Sequence, residues 1–354
     1  MKNPCPQFIR RRGSVLIAVL GLIALLSVLM ISFMGEAVER IKYNGLMDRG
    51  TDLRERAYSG LEVALASISQ LAEIDNGLRC LSQGWGKPLE YAAFTPFDDC
   101  ELSVVCEDES AKLPLAALNE QELAALLEEL NLPGADAEKL STALLDWMDP
   151  DDKARLNGAD GADYERALTP CVPSNAVPRS WEELKLVEGF RGWFLDADGA
   201  PTALFLEFQR CVSLLNPSKV NINDAPEPVL RMLGELDRFD DDKLLRTMDG
   251  NDGLRGTVDD EILNSVDHLS AGGEVRLAAF DAQLLRLRVV VTRGDAHFSL
   301  DVLLQLRAHS TVSNSASGTK TRLNNAYKDF PRNPSAALSY PFTILQIIEN
   351  RRAD

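Results

Sequence analysis

The chain has 354 residues, 45% hydrophobic and 26% charged, which is an ordinary globular composition and excludes a wholly disordered one. Its 54 Asp+Glu against 37 Lys+Arg give a formal charge of −17, so no nucleic-acid partner is expected on a basic surface. The three histidines, His268, His297 and His309, are each far from any cysteine pair, and they exclude most His-rich zinc sites and leave little for Ser-His-Asp machinery. The length predicts about two domains.

Charge is unevenly spread. Lys2, Arg10, Arg11 and Arg12 put four positive charges and no acid into the first thirteen residues, a basic start that precedes an apolar run. That run, Ser14 to Met34 (SVLIAVLGLIALLSVLMISFM), has 21 residues and no charge. As a helix it is about 31 Å long, close to the ~30 Å hydrocarbon core of a bilayer. A secretory signal peptide has a shorter apolar region followed by a small-x-small cleavage site, and no clear A-x-A follows here. A plain N-terminal anchor fits the length, with Arg10 to Arg12 held in the cytoplasm. A type IV prepilin leader fits as well, and it demands a glycine between the basic stretch and the apolar run. Gly13, in RRRG-SVLIAVL, stands there.

No proline occurs between Pro6 and Pro88, and Ala57, Leu61, Ala64, Leu65, Ile68 and Ala72 recur at spacings of three and four. The pattern predicts a helix from Ser14 to about Ala72, roughly 88 Å long. Its first half would lie in lipid or against neighbouring copies, and its second half on a soluble domain. Glycines at 35, 45, 50 and 60 each cost about 1 kcal/mol in a helix interior, so a bend is expected near Gly45 to Gly50. An anchor joined to a separate amphipathic helix is the simpler alternative.

In the soluble part, Cys100 to Cys106 (CELSVVC) has strand character. Leu118 to Leu130, with Leu123, Leu126, Leu127 and Leu130 on one face, predicts a helix, and Ala137, Leu140, Leu144 and Trp147 predict a second. Asp224-Ala-Pro226-Glu227 reads as an N-cap with Glu at N3, opening a helix through Val229, Leu230 and Leu233. Leu285, Leu287, Val289 and Val291 alternate with Arg286, Arg288 and Val290. After Arg293-Gly294-Asp295, Phe298, Leu300, Val302, Leu304 and Leu306 alternate likewise, which makes a half-buried antiparallel hairpin. His309 to Asn325 reads as a polar loop and Thr343 to Ile348 (TILQII) as a last strand. A helical block thus falls inside a small sheet domain.

Three segments carry a specific resemblance: LLDWMDPDDKARLNGADGADY (Leu144 to Tyr164), EELKLVEGF (Glu182 to Phe190) and KVNINDAPEPVLRML (Lys219 to Leu233). With CEDESAKLPLAALNEQEL (Cys106 to Leu123), and behind a prepilin leader, they resemble the K-type minor pseudopilin, general secretion pathway protein K, of the type II secretion system. The resemblance implies an α+β fold in which a long N-terminal transmembrane helix packs on a pilin-like antiparallel sheet, with a large mainly α-helical domain inserted. The implied organisation is a leader at 1–13, a transmembrane part at 14–34 and a periplasmic helix at 35–75. A pilin-like β domain follows at 76–106 and 281–354, with the inserted α-domain at 107–280. It further implies a single-pass protein of the bacterial inner membrane with its N-terminus cytoplasmic and its C-terminal domain periplasmic. Its place would be the tip of the pseudopilus, where it initiates and caps assembly for export of folded proteins across the outer membrane. The implied partners are the I- and J-type minor pseudopilins, the major pseudopilin, prepilin peptidase and the inner membrane. A minor pilin of a type IV pilus or competence apparatus shares the leader but does not explain DWMDPDD or VNINDAP. A tethered periplasmic enzyme is not expected, because no G-x-S-x-G, H-E-x-x-H or Gly-rich phosphate loop is present. Asn221 and Asn223 could suggest a polar site, but backbone capping at a strand-to-helix turn is the simpler account.

Asp149, Asp151 and Asp152, with Asp160 and Asp163, crowd hard oxygens into one loop, as a Ca²⁺ ion requires. No EF-hand is present, since Lys153 and Ala154 stand where Asp/Asn and Gly belong. From the residues alone a solvated acidic loop with Asp149 or Asp151 capping a turn is the plainer reading. The K-type resemblance implies calcium sites in the α-domain, and both readings stand. Asp249-x-Asn251 is a weaker partial pattern, with Gly253 at its fifth position.

Cleavage of the leader would remove Cys5 and leave Cys80, Cys100, Cys106, Cys171 and Cys211. In an oxidising periplasm one or two disulfides are expected. Cys100 and Cys106 on one strand would lie about 20 Å apart and could not pair. Cys80 with either of them, or Cys171 with Cys211, is permitted.

In most pilins and pseudopilins the fifth mature residue is a glutamate that neutralises a neighbour's buried N-terminal amine. Here it is Ala18. A subunit with no copy above it has no such amine to neutralise. The leader also makes a direct prediction: prepilin peptidase cuts between Gly13 and Ser14, and the new Ser14 amine is methylated. N-terminal sequencing of the mature protein should begin at Ser14, and Gly13→Leu should abolish maturation; any other start refutes the leader reading.

Overall fold

The computed structural model describes residues 14–95, 97–151, 153–156, 158–159, 161–166, 171–257, 259–265, 275–307 and 342–350. The polar loop read at His309 to Asn325 lies outside them. The chain divides into two compact units, Met1–Arg56 and Ala57–Asp354.

Helix α1 runs Ser14–Ile74 and stays helical through Gly45 to Gly50, so the chain does not melt there. Two glycines at about 1 kcal/mol each, with no proline, are too weak a perturbation to interrupt a long hydrogen-bonded ladder. Within the first unit, Val19–Glu36 has a mean hydropathy of 2.2 with none of its surface buried. Ser27 donates its hydroxyl to the Ile23 carbonyl at 2.8 Å, so that polar group is satisfied inside its own helix. Among the described residues this is one helix long and apolar enough to cross a membrane once.

In the second unit the final turns of α1 bury Ala57, Leu61, Ala64, Leu65, Ile68 and Ala72, the face read from the sequence. The helix sits close to the sheet at Gly60, where a Cβ would come 2.8 Å from Leu102. Helix α2 (Pro88–Tyr91) follows, then β1 (Glu101–Asp108). The chain next leaves the sheet through a 3-10 turn at Glu109–Ala111 and runs through β2 (Leu113–Pro114), α3 (Glu120–Glu129) and α4 (Gly134–Met148). It continues through α5 (Gly161–Arg166), α6 (Phe190–Phe194), α7 (Ala203–Cys211), β3 (Val212–Ser213) and β4 (Val220–Asn221). Helices α8 (Glu227–Asp237) and α9 (Asp241–Met248) come next, and β5 (Ala278–Ala279) closes the insertion. Strands β6 (Leu284–Arg293), β7 (Ala296–Leu306) and β8 (Phe342–Glu349) complete the sheet.

That sheet has the order β1-β6-β7-β8 and is antiparallel throughout. Val104, Val289 and Leu300 share one register row, as do Cys106, Leu287 and Val302, and all six are buried. The hairpin and the last strand fall where the alternation predicted them. Strand β8 is an edge, and Ile344, Leu345 and Ile347 on it are exposed.

The insertion carries its own core, built on Leu123, Leu126, Leu127, Leu140, Leu144 and Trp147 and on the aromatic group Phe190, Phe194, Phe205 and Phe208. Two short parallel pairings, Leu113 with Val212 and Val220 with Ala278, fasten its loops. Asn119 and Glu122 form a reciprocal capping box that starts α3. The structure corrects the cap expected at Asp224: Pro226 flanks α8, and Asp224 ends a 3-10 turn at Ile222–Asp224. Pro228, which has no N–H to lose, fits the first turn and fixes the start there. Cys80, Cys106, Cys171 and Cys211 carry free thiols, so the expected pairings of Cys80 with Cys106 and of Cys171 with Cys211 do not form. Cys106 and Cys211 pack as small apolar side chains instead.

Candidate functional site

The first resembling segment ends α4 and turns back on it. Trp147 is buried and donates its Nε1–H to Glu183 at 3.0 Å. Tyr164 packs edge-on against the Trp147 ring at 5.0 Å and accepts the Glu188 N–H at 3.1 Å. Burial pushes the Tyr164 phenol up to about 12, so it stays neutral. Burial also lifts Glu183, but the Arg179 N–H and the Trp147 indole hold it below the usual carboxylate range. The first two resembling segments are therefore one packed unit.

Arg155 organises the acidic loop between them. It donates its N–H to Asp146 Oδ2 at 3.0 Å, and its guanidinium bridges Asp146 and Asp149, reaching Asp149 Oδ2 at 2.7 Å. This hydrogen bond holds Asp149 below the usual range. Gly158 must be glycine because a Cβ there would collide with the Asp146 carboxylate. Asp149 Oδ1 accepts the Asp151 N–H, and Asp151 Oδ1 accepts the Lys153 N–H, which are the turn-capping roles read from the sequence. Asp152 and Asp160 lie outside the described residues, as does the side chain of Asp163. Hard carboxylate oxygens suit calcium in kind. Among the described residues, however, no group of three His, Cys, Asp or Glu is gathered for a metal, and Asp149 would have to exchange Arg155 for the ion. The weaker pattern is spent similarly, with Asp249 on Arg255 and the Asn251 N–H on Asp259.

The third segment is a set of backbone clamps. Asn221 donates to the Arg79 carbonyl and to Asp108 Oδ2, both at 2.7 Å. Asn223 donates to the Leu263 and Phe280 carbonyls at 3.0 and 2.9 Å and accepts the Leu263 N–H at 2.8 Å. The capping account holds for Asn221, whose Oδ1 also accepts the Asn223 N–H at 3.3 Å; Asn223 instead clamps backbone of distant segments. Asn216, which the sequence did not single out, does the same for the Lys112 and Lys219 carbonyls. Beside them Glu109 meets Lys112 and Arg286 at 3.1 and 3.2 Å and accepts from Ser213 Oγ at 2.7 Å. Burial alone would raise the Glu109 carboxyl, but the Lys112 and Arg286 charges carry it below the ordinary value. Arg286 also reaches Asp301 at 3.2 Å, which joins the insertion to β6 and β7. Such an arrangement holds distant segments together within one folded unit.

Residues 103–196, from inside β1 to just past α6, match the family described as type II secretion system (T2SS), protein K. The K-type resemblance is shown. A type II secretion system protein K of Klebsiella pneumoniae is 30% identical over 195 residues, which cover 51% of this chain and 58% of that protein. The match thus spans little more than half the length of its K-type relative. A chain in the crystal structure of the GspK-GspI-GspJ complex from the enterotoxigenic Escherichia coli type 2 secretion system shares the fold. Its TM-score is 0.56 at 16% identity, covering 88% of this chain and all of that one. The K-type match begins at the sheet and runs through the Arg155 loop and the Trp147–Glu183 contact.

Asn223 offers the sharpest check of the clamp. Asn223→Leu keeps the volume but strands three buried backbone groups, at about 1–3 kcal/mol each. Urea unfolding of the full chain in detergent should show a loss of roughly 3 kcal/mol or more; a loss below ~1 kcal/mol would mean the clamp is redundant.

Proposed function

We propose that this chain is a minor pseudopilin of the type II secretion system, seated at the tip of the pseudopilus, where it starts and caps the fibre. The observation that carries the reading is the protein K match over residues 103–196 behind a lipid-length helix free of charge from Ser14 to Met34. The E. coli relative lies in a complex with GspI and GspJ. By the same arrangement the partners here are the I- and J-type minor pseudopilins, with the major pseudopilin below and prepilin peptidase acting at Gly13–Ser14. The protein is then held by one span in the inner membrane, with the basic leader cytoplasmic by the positive-inside rule and the folded unit periplasmic. Its role is structural, not catalytic.

Ala18 supports the tip position. An unpaired charge in lipid costs about 3 kcal/mol on the lower scales, so a subunit inserted beneath others gains from a glutamate there. A first subunit has nothing to neutralise. Ala18→Glu should therefore leave secretion largely intact, whereas deleting Leu115 to Leu277 should give over-long pseudopili or failed initiation. Site-specific cross-linking should join this chain to subunits on one side only; cross-links to the major subunit both above and below it would refute the tip position.

Calcium binding by the loop holding Asp149, Asp151, Asp152, Asp160 and Asp163 belongs to the same proposal. Its support is the run of hard-oxygen residues in the sequence from Asp149 to Asp163; the ion would have to displace Arg155 from Asp149. A micromolar site in about 1 mM Ca²⁺ gains roughly 4 kcal/mol by linkage. Melting the full chain with calcium and with EGTA should separate the midpoints, and Asp149→Ala should remove the difference. Identical midpoints for the unaltered protein would leave only the solvated loop.

A further inference from the structure

We propose that Asp108 and Asp224 act as a proton-holding pair that latches the helical insertion to the sheet, keeping at least one proton between them while the junction is closed. This inference does not depend on the assembly reading above.

Asp108 is the last residue of β1, and Asp224 ends the 3-10 turn after β4. Four stretches of chain meet around them. Asp108 Oδ1 accepts from the Ser110 N–H at 2.8 Å and from Ser110 Oγ, and its Oδ2 accepts from Asn221. Ser110 Oγ in turn accepts the Gln283 N–H at 2.9 Å, at the start of β6. Asp224 Oδ1 accepts the Leu81 N–H at 3.0 Å, on the loop that follows α1. The two carboxylates thus anchor the outgoing strand, the returning strand, the loop before β1 and the Asn221 segment.

What they lack is a counter-charge. Among the described residues neither aspartate has a salt bridge, and every donor to Asp108 is neutral. Asp108 is 6% exposed; Asp224 is half-buried as a residue, yet its Oδ2 is sealed from solvent with no hydrogen-bond partner. Arg255 bears on Asp224 from the loop after α9, but its Nε goes to Asp249 and its Nη1 to the Ala225 carbonyl. Lys112 and Arg286 are both committed to Glu109. The other charged groups that bear on the pair, Glu109 on Asp108 and Asp260 on Asp224, are acidic. The thiols of Cys80 and Cys106 are pushed up by burial and stay neutral. A buried carboxylate held only by neutral donors and a second whose Oδ2 is sealed and unpartnered, each without a salt bridge, cannot both ionise cheaply, and the least costly relief is a retained proton. Burial pushes Asp108 up to about 6, and burial with the Asp108 charge raises Asp224 well above the usual carboxylate range.

The sign follows from linkage. Unfolded aspartates ionise near pH 3.9, so above that the folded chain holds protons that the unfolded chain has released. The latch is fully stabilising below about pH 4, and its contribution is lost as pH rises through about 6 and beyond. Acid tightens this junction.

The test is urea unfolding of the full chain in detergent micelles at about pH 5 and about pH 7.5, comparing the unaltered protein with Asp224→Asn. The amide keeps an acceptor for Leu81 and cannot ionise. Expected are smaller differences at the lower pH and, at the higher, an unfolding constant about tenfold lower for the variant. Infrared spectra of the unaltered protein near pH 6.5, where ordinary carboxyls are ionised, should retain a protonated-carboxyl band that Asp224→Asn removes. If the variant fails to fold, the band in the unaltered protein decides. Parallel pH profiles for the two proteins, no protonated-carboxyl band, or a band that survives Asp224→Asn would each overturn the latch.

Discussion

The buried Glu109–Arg286–Asp301 chain of ion pairs is the contact on which the two halves of the folded unit depend. Strands β1 and β6 are hydrogen-bonded neighbours, yet the whole helical insertion lies between them in sequence. Whatever shape the insertion takes, its ends must come back to one strand spacing, about 4.8 Å. Arg286 on β6 meets the first residue beyond β1 on one side and β7 on the other. Removing one partner of such a buried set leaves the other charge uncompensated, which is far costlier than losing a surface pair.

Around that triad the problem is satisfying backbone. Near the sheet, the stretches Glu109–Ala111, Val212–Ser213 and Val220–Asn223 are buried, with little regular pairing to use up their N–H and C=O groups. Asn216, Asn221 and Asn223 fill the role that strands fill elsewhere, each side chain bonding backbone of a distant segment or an adjoining turn. The VNIN motif is therefore a structural device. The Arg155 loop works on the same principle from the other end of α4, where a single cation holds two carboxylates and shapes the chain for the Trp147–Tyr164 contact.

The two units place different demands on their residues. Ser14 to Met34 needs only length, apolarity and internally satisfied hydrogen bonds to suit a bilayer. The folded unit needs a sheet whose inner rows are continuous and an insertion with a core of its own.

Much of this was legible in the chain itself. The charge-free run, the three-four spacing of Ala57 to Ala72, the alternation in β6 and β7 and the leucine face of α3 and α4 are periodic, and periodicity survives without tertiary context. The resembling segments were legible too, and the protein K match falls across two of them. The buried partners were not. Asp108, Glu109, Arg155, Asn216 and Arg286 are ordinary polar residues in sequence, each acquiring its role from a group brought near only by folding. Asp224 was misread as a helix cap because its spacing to Glu227 fits one, and only the fold turned its carboxylate toward Leu81. Local pattern determined the elements and an apolar helix long enough to cross a membrane; the pairing of charges and the burial of carboxylates were decided by tertiary structure, because solvent exclusion is a property of the packed chain and not of any segment.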